Sequence, residues 1–237
     1  MIVPSDKDYI ETKIIKRGQA ILNPDFAPLA EWIENKYLLT VLNIYYDITT
    51  GPHNRPFPRL NIIFEYEKDE LKFRDGILGN YDSDKQQVIA GKFEELVNNR
   101  NTAIAKLNNF FGRTEGATYD TKGLLVIFDS FEPVAKDEAN EAIPKNEIEK
   151  LKVELNSPEI WEISRFGSRT TVFFYTDQQA EKAKSSDLLK RLTSGYFQML
   201  KKYDEFDYYE QESFSVCIDS KENFDKNFES SWFYYYR

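Results

Sequence analysis

Two residue types are nearly missing from this chain of 237 residues: there is one cysteine, Cys217, and one histidine, His53. A single cysteine forms no intrachain disulfide, which suits a reducing compartment. The paired Cys and His spacing of a zinc site is also excluded. A single histidine leaves one position at most for the commonest general base near neutral pH. His53 falls in Thr49–Pro58, a run of glycine, proline and asparagine turn chemistry, and reads as a solvated loop histidine. Cys217, between Val216 and Ile218, reads as a small buried hydrophobe in a strand. Long apolar runs are lacking too. The longest, such as Leu124–Phe128, fall far short of a membrane span. Met1–Asp8 has acidic residues and no apolar core, so no secretory leader is expected. Neither a G-x4-G-K-[ST] nor a G-x-G-x-x-G phosphate loop occurs, nor a G-x-S-x-G nucleophile turn. Asn80–Asp84 alternates oxygen ligands, but Gly91 stands where a calcium loop needs glutamate. It reads as a helix-capping turn. No catalytic residue, metal or cofactor is expected.

Positive charge is in short supply. Lys and Arg number 31 against 40 Asp and Glu, a net charge of −9. Such a field repels phosphate backbones and speeds association with basic proteins. The expectation is a cytoplasmic protein that binds neither nucleic acid nor membrane and meets a basic protein partner. Aromatics are plentiful, with 18 Phe, 15 Tyr and 3 Trp. Most must be buried or held in an interface, because large exposed aromatic patches are rare on monomers.

An internal repeat is visible. Leu125–Glu132 followed by Lys136 matches Ser215–Glu222 followed by Lys226, with Asp129, Ser130, Glu132 and Lys136 recurring 90 residues later. Upstream, Leu29, Trp32, Ile33 and Tyr37 follow a helical period. Strand patterns cover Leu38–Asp47 and Leu60–Glu67, a helix starts near Asp84, and Thr102–Phe111 reads as an extra helical stretch. In the second copy Ile148, Leu151 and Leu155 mark a helix stopped at Ser157–Pro158. Strands at Glu159–Ser164 and Thr170–Thr176 follow, then a helix over Ser186–Tyr203 and a strand over Phe214–Asp219. The sequence thus predicts an α+β fold of two tandem helix-strand-strand-helix-strand units, with an antiparallel sheet and helices on one face. The first unit spans 26–140 and the second 147–237. Lys136–Asn146 is the linker, and residues 1–25 form an extension that reads as a covering strand or a short helix.

Two segments invite a functional reading. The carboxylate sets Asp129 with Glu132 and Asp219 with Glu222 suit a carboxylate-based hydrolase if they face each other across a cleft. An aspartate at a strand end is also a common turn device. Asp204–Glu212 holds five acids and three aromatics with no base, and Trp232–Tyr236 is five aromatics in a row. Tyrosine and tryptophan dominate binding hot spots. The candidate partner-binding residues are therefore Asp204, Glu205, Asp207, Tyr208, Tyr209, Glu210, Trp232 and Tyr234. The alternative is a solvated loop followed by a half-buried core or edge strand.

The second copy resembles the YezG-type immunity proteins encoded beside bacterial polymorphic toxins. The similarity rests on Trp161–Ile163 leading to Thr171–Tyr175, the helix to Tyr203, Phe214–Ser220, and Phe224, Phe228 and Trp232. It covers at most residues 147–237. The chain departs from that pattern in carrying about twice a single unit and in lacking a glycine in the final turn. The resemblance implies a small acidic α+β protein that neutralises a toxin by occluding it, without chemistry. A structural or adaptor domain of a larger assembly is the remaining alternative.

Overall fold

The computed structural model describes residues 2–51, 54–75, 79–111 and 118–237. It is an α+β protein of two compact units, Met1–Glu132 and Pro133–Arg237. His53 lies outside the described residues.

The first unit begins with α1 (Lys7–Lys16) and α2 (Ala27–Tyr37), followed by the hairpin strands β1 (Val41–Thr50) and β2 (Pro56–Phe64). A short α3 (Glu67–Glu70), the two-residue strands β3 (Arg74–Asp75) and β4 (Asn80–Tyr81), and the long α4 (Ser83–Phe111) lead to β5 (Leu125–Ser130). Helix α2 has proline in its first turn, buries Leu29, Ala30 and Ile33, and stops where Leu38 turns left-handed at φ 54°. Helix α4 starts where Asp82 Oδ1 accepts the N–H groups of Asp84 and Lys85, as its turn chemistry predicts. Ile89, Phe93 and Val97, four residues apart, line its buried stripe. The stretch expected as a separate helix, Thr102–Phe111, is the continuation of α4.

Helix α5 (Phe131–Ala142) spans the boundary between the units. The second unit continues with α6 (Lys145–Leu155), the hairpin β6 (Ile160–Phe166) and β7 (Arg169–Phe174), helices α7 (Asp177–Lys184) and α8 (Asp187–Leu200), strand β8 (Cys217–Ser220), α9 (Lys221–Asn227) and α10 (Trp232–Tyr235). The stretch expected as a linker is therefore largely helical. Ala139 and Ile143 are buried along it, so an apolar stripe offsets its polar composition.

The two units share one topology. Each sheet has three strands, in the orders β1-β2-β5 and β6-β7-β8. The first pairing in each is antiparallel and the second parallel. The hairpin of each sheet is antiparallel as expected, and the third strand differs in pairing parallel, because a helical crossover returns the chain in the same direction. The correspondence extends to single residues. Each leading strand carries a bulge at its start, between Val41 and Asn43 and between Ile160 and Glu162. Glu65 N–H donates to Thr40 O as Tyr175 N–H does to Glu159 O. Glu67 N–H donates to Glu132 as Asp177 N–H does to Glu222.

Alternation along the central strands sets the two faces of each sheet. Leu60, Ile62 and Phe64 join the first helix-side core, and Val172 and Phe174 the second. The expected arrangement of helices on one face only is corrected by what lies opposite. In the first unit α1 covers that face: Tyr9 stacks on Phe131 at 5.1 Å, and Asn61 Nδ2 donates to Asp8 Oδ2 at 2.8 Å. In the second unit α9 and α10 lie there. The physical reason is that Ile63 and Phe173, the odd residues of the central strands, are themselves apolar and fully buried. Each needs a cover, since burying such a side chain contributes roughly 2 kcal/mol.

Candidate functional site

The aromatic C-terminal segment is a short helix, not a final strand, laid over the outer face of the second sheet. Phe173 anchors it. Trp232 and Tyr235 meet Phe173 edge-on at 5.3 and 5.1 Å. Phe224 of α9 meets Trp232 at 4.3 Å. The bulge in β6 turns Trp161 toward the same face, where it stacks on Trp232 with ring planes 7° apart. Tyr236 stacks on Phe166 at 4.8 Å, and its hydroxyl donates to Ser164 Oγ at 2.7 Å. Tyr235 donates to Asp219 Oδ2 at 2.6 Å. Burial first, and then this bond to a carboxylate, push its hydroxyl pKa up. The layer is held down on one side and open on the other. Phe166 and Phe233 remain 58% and 69% exposed, Tyr175 and Tyr234 each 48%, and Trp232 38%.

The structure separates the residues that the sequence suggested would act together. Asp204 belongs to the turn after α8. Its carboxylate is 3% exposed and accepts Lys201 Nζ at 2.7 Å and the N–H groups of Tyr208 and Tyr209 at 3.0 and 2.9 Å. Tyr209 is buried in the helix-side core, with its hydroxyl donating to Lys136 O at 3.0 Å. Burial is also the first cause of its raised pKa, ahead of the nearby Asp137 charge. These two residues serve the fold, which corrects their assignment to a partner surface. Asp207 is left-handed at φ 60° and bonds to Lys201 through an exposed carboxylate. Glu205 and Glu210 are exposed, and Tyr208 is half-buried beside Phe206. Trp232 and Tyr234 lie on the outer face, opposite the core that holds Tyr209. Strand alternation is the reason: Val172 and Phe174 face Tyr209's core while Phe173 faces the tail.

The paired carboxylates are occupied by the backbone. Asp129 accepts Ile2 N–H and Asn61 Nδ2, both at 3.2 Å, and Glu132 accepts Glu67 N–H at 3.3 Å. Asp219 accepts Ser220 N–H and Asn223 Nδ2 besides Tyr235, and Glu222 accepts Asp177 N–H at 3.1 Å. Asp219 thus bonds within its own turn, as the repeat suggested, whereas Asp129 ties its strand end to the distant residues Ile2 and Asn61. Cys217 departs from expectation: it is exposed, in the same strand row as Asp219, two residues on, whose partner Phe173 faces the tail. Among the described residues, no group of three or more His, Cys, Asp or Glu side chains is arranged to hold a metal ion, and no helix is long and apolar enough to cross a membrane.

Phe166, Tyr175 and Phe233 are exposed rings that the sequence does not single out as binding residues. Phe233 carried a signal in its neighbours Trp232 and Tyr234. Phe166 carried none, since nothing local shows that β6 runs to its turn with that ring facing out. Comparison of the chain with family models, with curated proteins and with solved structures gives no match.

Proposed function

We propose that this chain is a non-enzymatic binding protein whose second unit docks a basic protein through its outer aromatic layer, occluding that partner as an immunity protein occludes a toxin. The observation that carries this reading is the layer itself: Phe166 and Trp232, stacked into the layer on the outer face, and Phe233 and Tyr234 of the same short helix keep large exposed ring areas. Rings pre-positioned by stacking lose little entropy on binding and make strong anchors. The net charge of −9, with Glu205, Asp207 and Glu210 exposed, favours a basic partner and speeds its arrival. The carboxylates that a hydrolase would need hold backbone and side-chain donors of the fold, which supports binding over catalysis.

Pulldown with the tagged full chain from its native host tests this. A basic protein is expected in stoichiometric amount, captured less well at high salt and lost with the Phe233→Ser/Tyr234→Ser variant. If the partner is toxic, co-expression should restore growth. A chain that elutes alone at low salt, or a partner that ignores the double variant, overturns the reading.

A further inference from the structure

The duplication places a groove at the same site in both units. In the first unit a groove of about 470 Å³ runs along β1 at Asn43, Ile44, Tyr45 and Tyr46. In the second, a groove of about 650 Å³ runs along β6 at Glu162, Ile163, Ser164 and Arg165. These are corresponding residues, since Ile44 pairs with Ile62 as Ile163 pairs with Val172 at the centre of each sheet. Among the described residues both β1 and β6 are edge strands, so one row of their backbone groups faces no neighbouring strand there.

The backbone confirms where that row points. Ile163 N–H donates to the carboxylate of its own neighbour, Glu162, at 3.2 Å. Ile44 N–H donates to Asn43 Oδ1 at 2.9 Å. In an antiparallel ladder every second residue directs its N–H and C=O away from the partner strand, so Arg165 and Tyr46 share this outward row. In both copies a side chain one residue away caps an outward N–H in the place an incoming strand's carbonyl would take.

The lining of the second groove selects an occupant. Among the described residues, the carboxylates of Glu141, Glu149 and Glu162 line it with the cations of Lys145 and Arg165, and Glu149 also pairs with Lys152 at 3.6 Å. The Arg165 guanidinium keeps its charge but is turned to the backbone: it donates to the carbonyls of Asn140, Glu141 and Ile143 at 2.6–3.3 Å. Trp161 and Trp232 form one wall, with the Trp161 ring already engaged by Trp232 and by the Lys221 ammonium at 5.2 Å. Trp161–Arg165 extends roughly 16 Å at about 3.3 Å per residue, enough for an added strand of about five residues.

We infer that the groove along β6 binds an extended, lysine- or arginine-rich segment of the partner by strand addition, its backbone pairing with Ile163 and Arg165 and its cations meeting Glu141 and Glu149. The inference rests on the docking reading above and names the mode of binding.

The test uses the full chain with a fluorescein-labelled Val-Lys-Val-Lys-Val-Lys-Val peptide in fluorescence polarisation, followed by backbone amide NMR. Saturable binding is expected, with shifts centred on residues 161–165. The Glu141→Lys/Glu149→Lys variant should bind at least tenfold more weakly. Both positions are exposed, and an unchanged circular dichroism spectrum confirms that the variant folds. Equal binding of the glutamate counterpart of the peptide, shifts centred elsewhere, or no saturation by 1 mM peptide overturns the inference. A captured native partner that binds this variant and the parent equally, yet fails on the Phe233→Ser/Tyr234→Ser variant, overturns the groove and leaves docking on the aromatic face intact. A second copy of the chain occupying the edge would appear as a concentration-dependent dimer blocked by the peptide, and it too overturns the inference.

Discussion

Asp204 and Asp207 are both acids in the segment that composition alone marks as a binding surface, and the structure assigns them opposite weights. The Asp204 carboxylate, 3% exposed, holds two backbone N–H groups and the Lys201 ammonium. Replacing it with alanine leaves those donors in a site where water barely reaches. Hydrogen bonds to a charged group are worth about 1.5–3 kcal/mol each, and they do not add fully. The expected cost of Asp204→Ala is therefore about 2–4 kcal/mol. Asp207 also bonds to Lys201, but its carboxylate is 87% exposed. An exposed ion pair contributes roughly 0–1 kcal/mol. Asparagine tolerates the left-handed backbone there, so Asp207→Asn should cost less than about 1 kcal/mol. Urea unfolding in a Trp32→Phe background isolates the second unit, because the remaining tryptophans, Trp161 and Trp232, both lie in it. With a slope of about 1–3 kcal/mol per molar urea, Asp204→Ala should lower the midpoint by about 1–2 M and Asp207→Asn by less than half of that. Equal shifts for the two variants would refute the reasoning.

Phe173→Ala removes the ring on which the tail rests and should cost about 3–5 kcal/mol; a loss below about 1 kcal/mol would show that the tail does not depend on it. Gly167, in the β6–β7 turn, has φ 56°, and an added Cβ would lie 2.9 Å from Asp137 Oδ1. Gly167→Ala should therefore cost at least about 1 kcal/mol by thermal melting, and a stabilised variant would contradict this. The Tyr203 hydroxyl, 2.6 Å from Glu147, and then Lys202 hold the Glu147 carboxyl below the ordinary glutamate pKa. Because the folded value is depressed, the pair's contribution is present above the ordinary value and disappears as pH falls through the folded one. Carbon-13 NMR should show the Glu147 midpoint rising in Tyr203→Phe, and an unmoved midpoint would count against the assignment.

Much of the fold was legible because periodicity reports burial. Leu60, Ile62 and Phe64 announce one buried face of β2, and Leu192, Tyr196 and Leu200 announce the stripe of α8. The repeated Asp-Ser turn revealed the duplication. What stayed hidden has physical causes. The bulges at the starts of β1 and β6 insert one residue and reverse which face Trp161 meets. Helix α7 escaped notice because its capping box, Thr176 with Gln179, lies in a polar stretch and only Ala180 and Ala183 are buried. The candidate surface was misassigned at Asp204 and Tyr209 because composition shows which residues suit an interface and not which way each one points. Closeness in sequence between Tyr208, on the surface side, and Tyr209, in the core, conceals that division.

The parallel pairing of each third strand also has a kinetic consequence. Hairpins β1–β2 and β6–β7 join neighbours in sequence, and such contacts form within microseconds. Strands β5 and β8 arrive only after crossovers that contain α4 and α7–α8. Closing those long loops costs entropy before any contact repays it. During that interval β2 and β7 expose a second open edge beside Phe64 and Phe174, which are fully buried at the end. Misassembly during refolding should therefore begin at these central strands, and a nascent chain is most vulnerable between completing a hairpin and receiving its third strand.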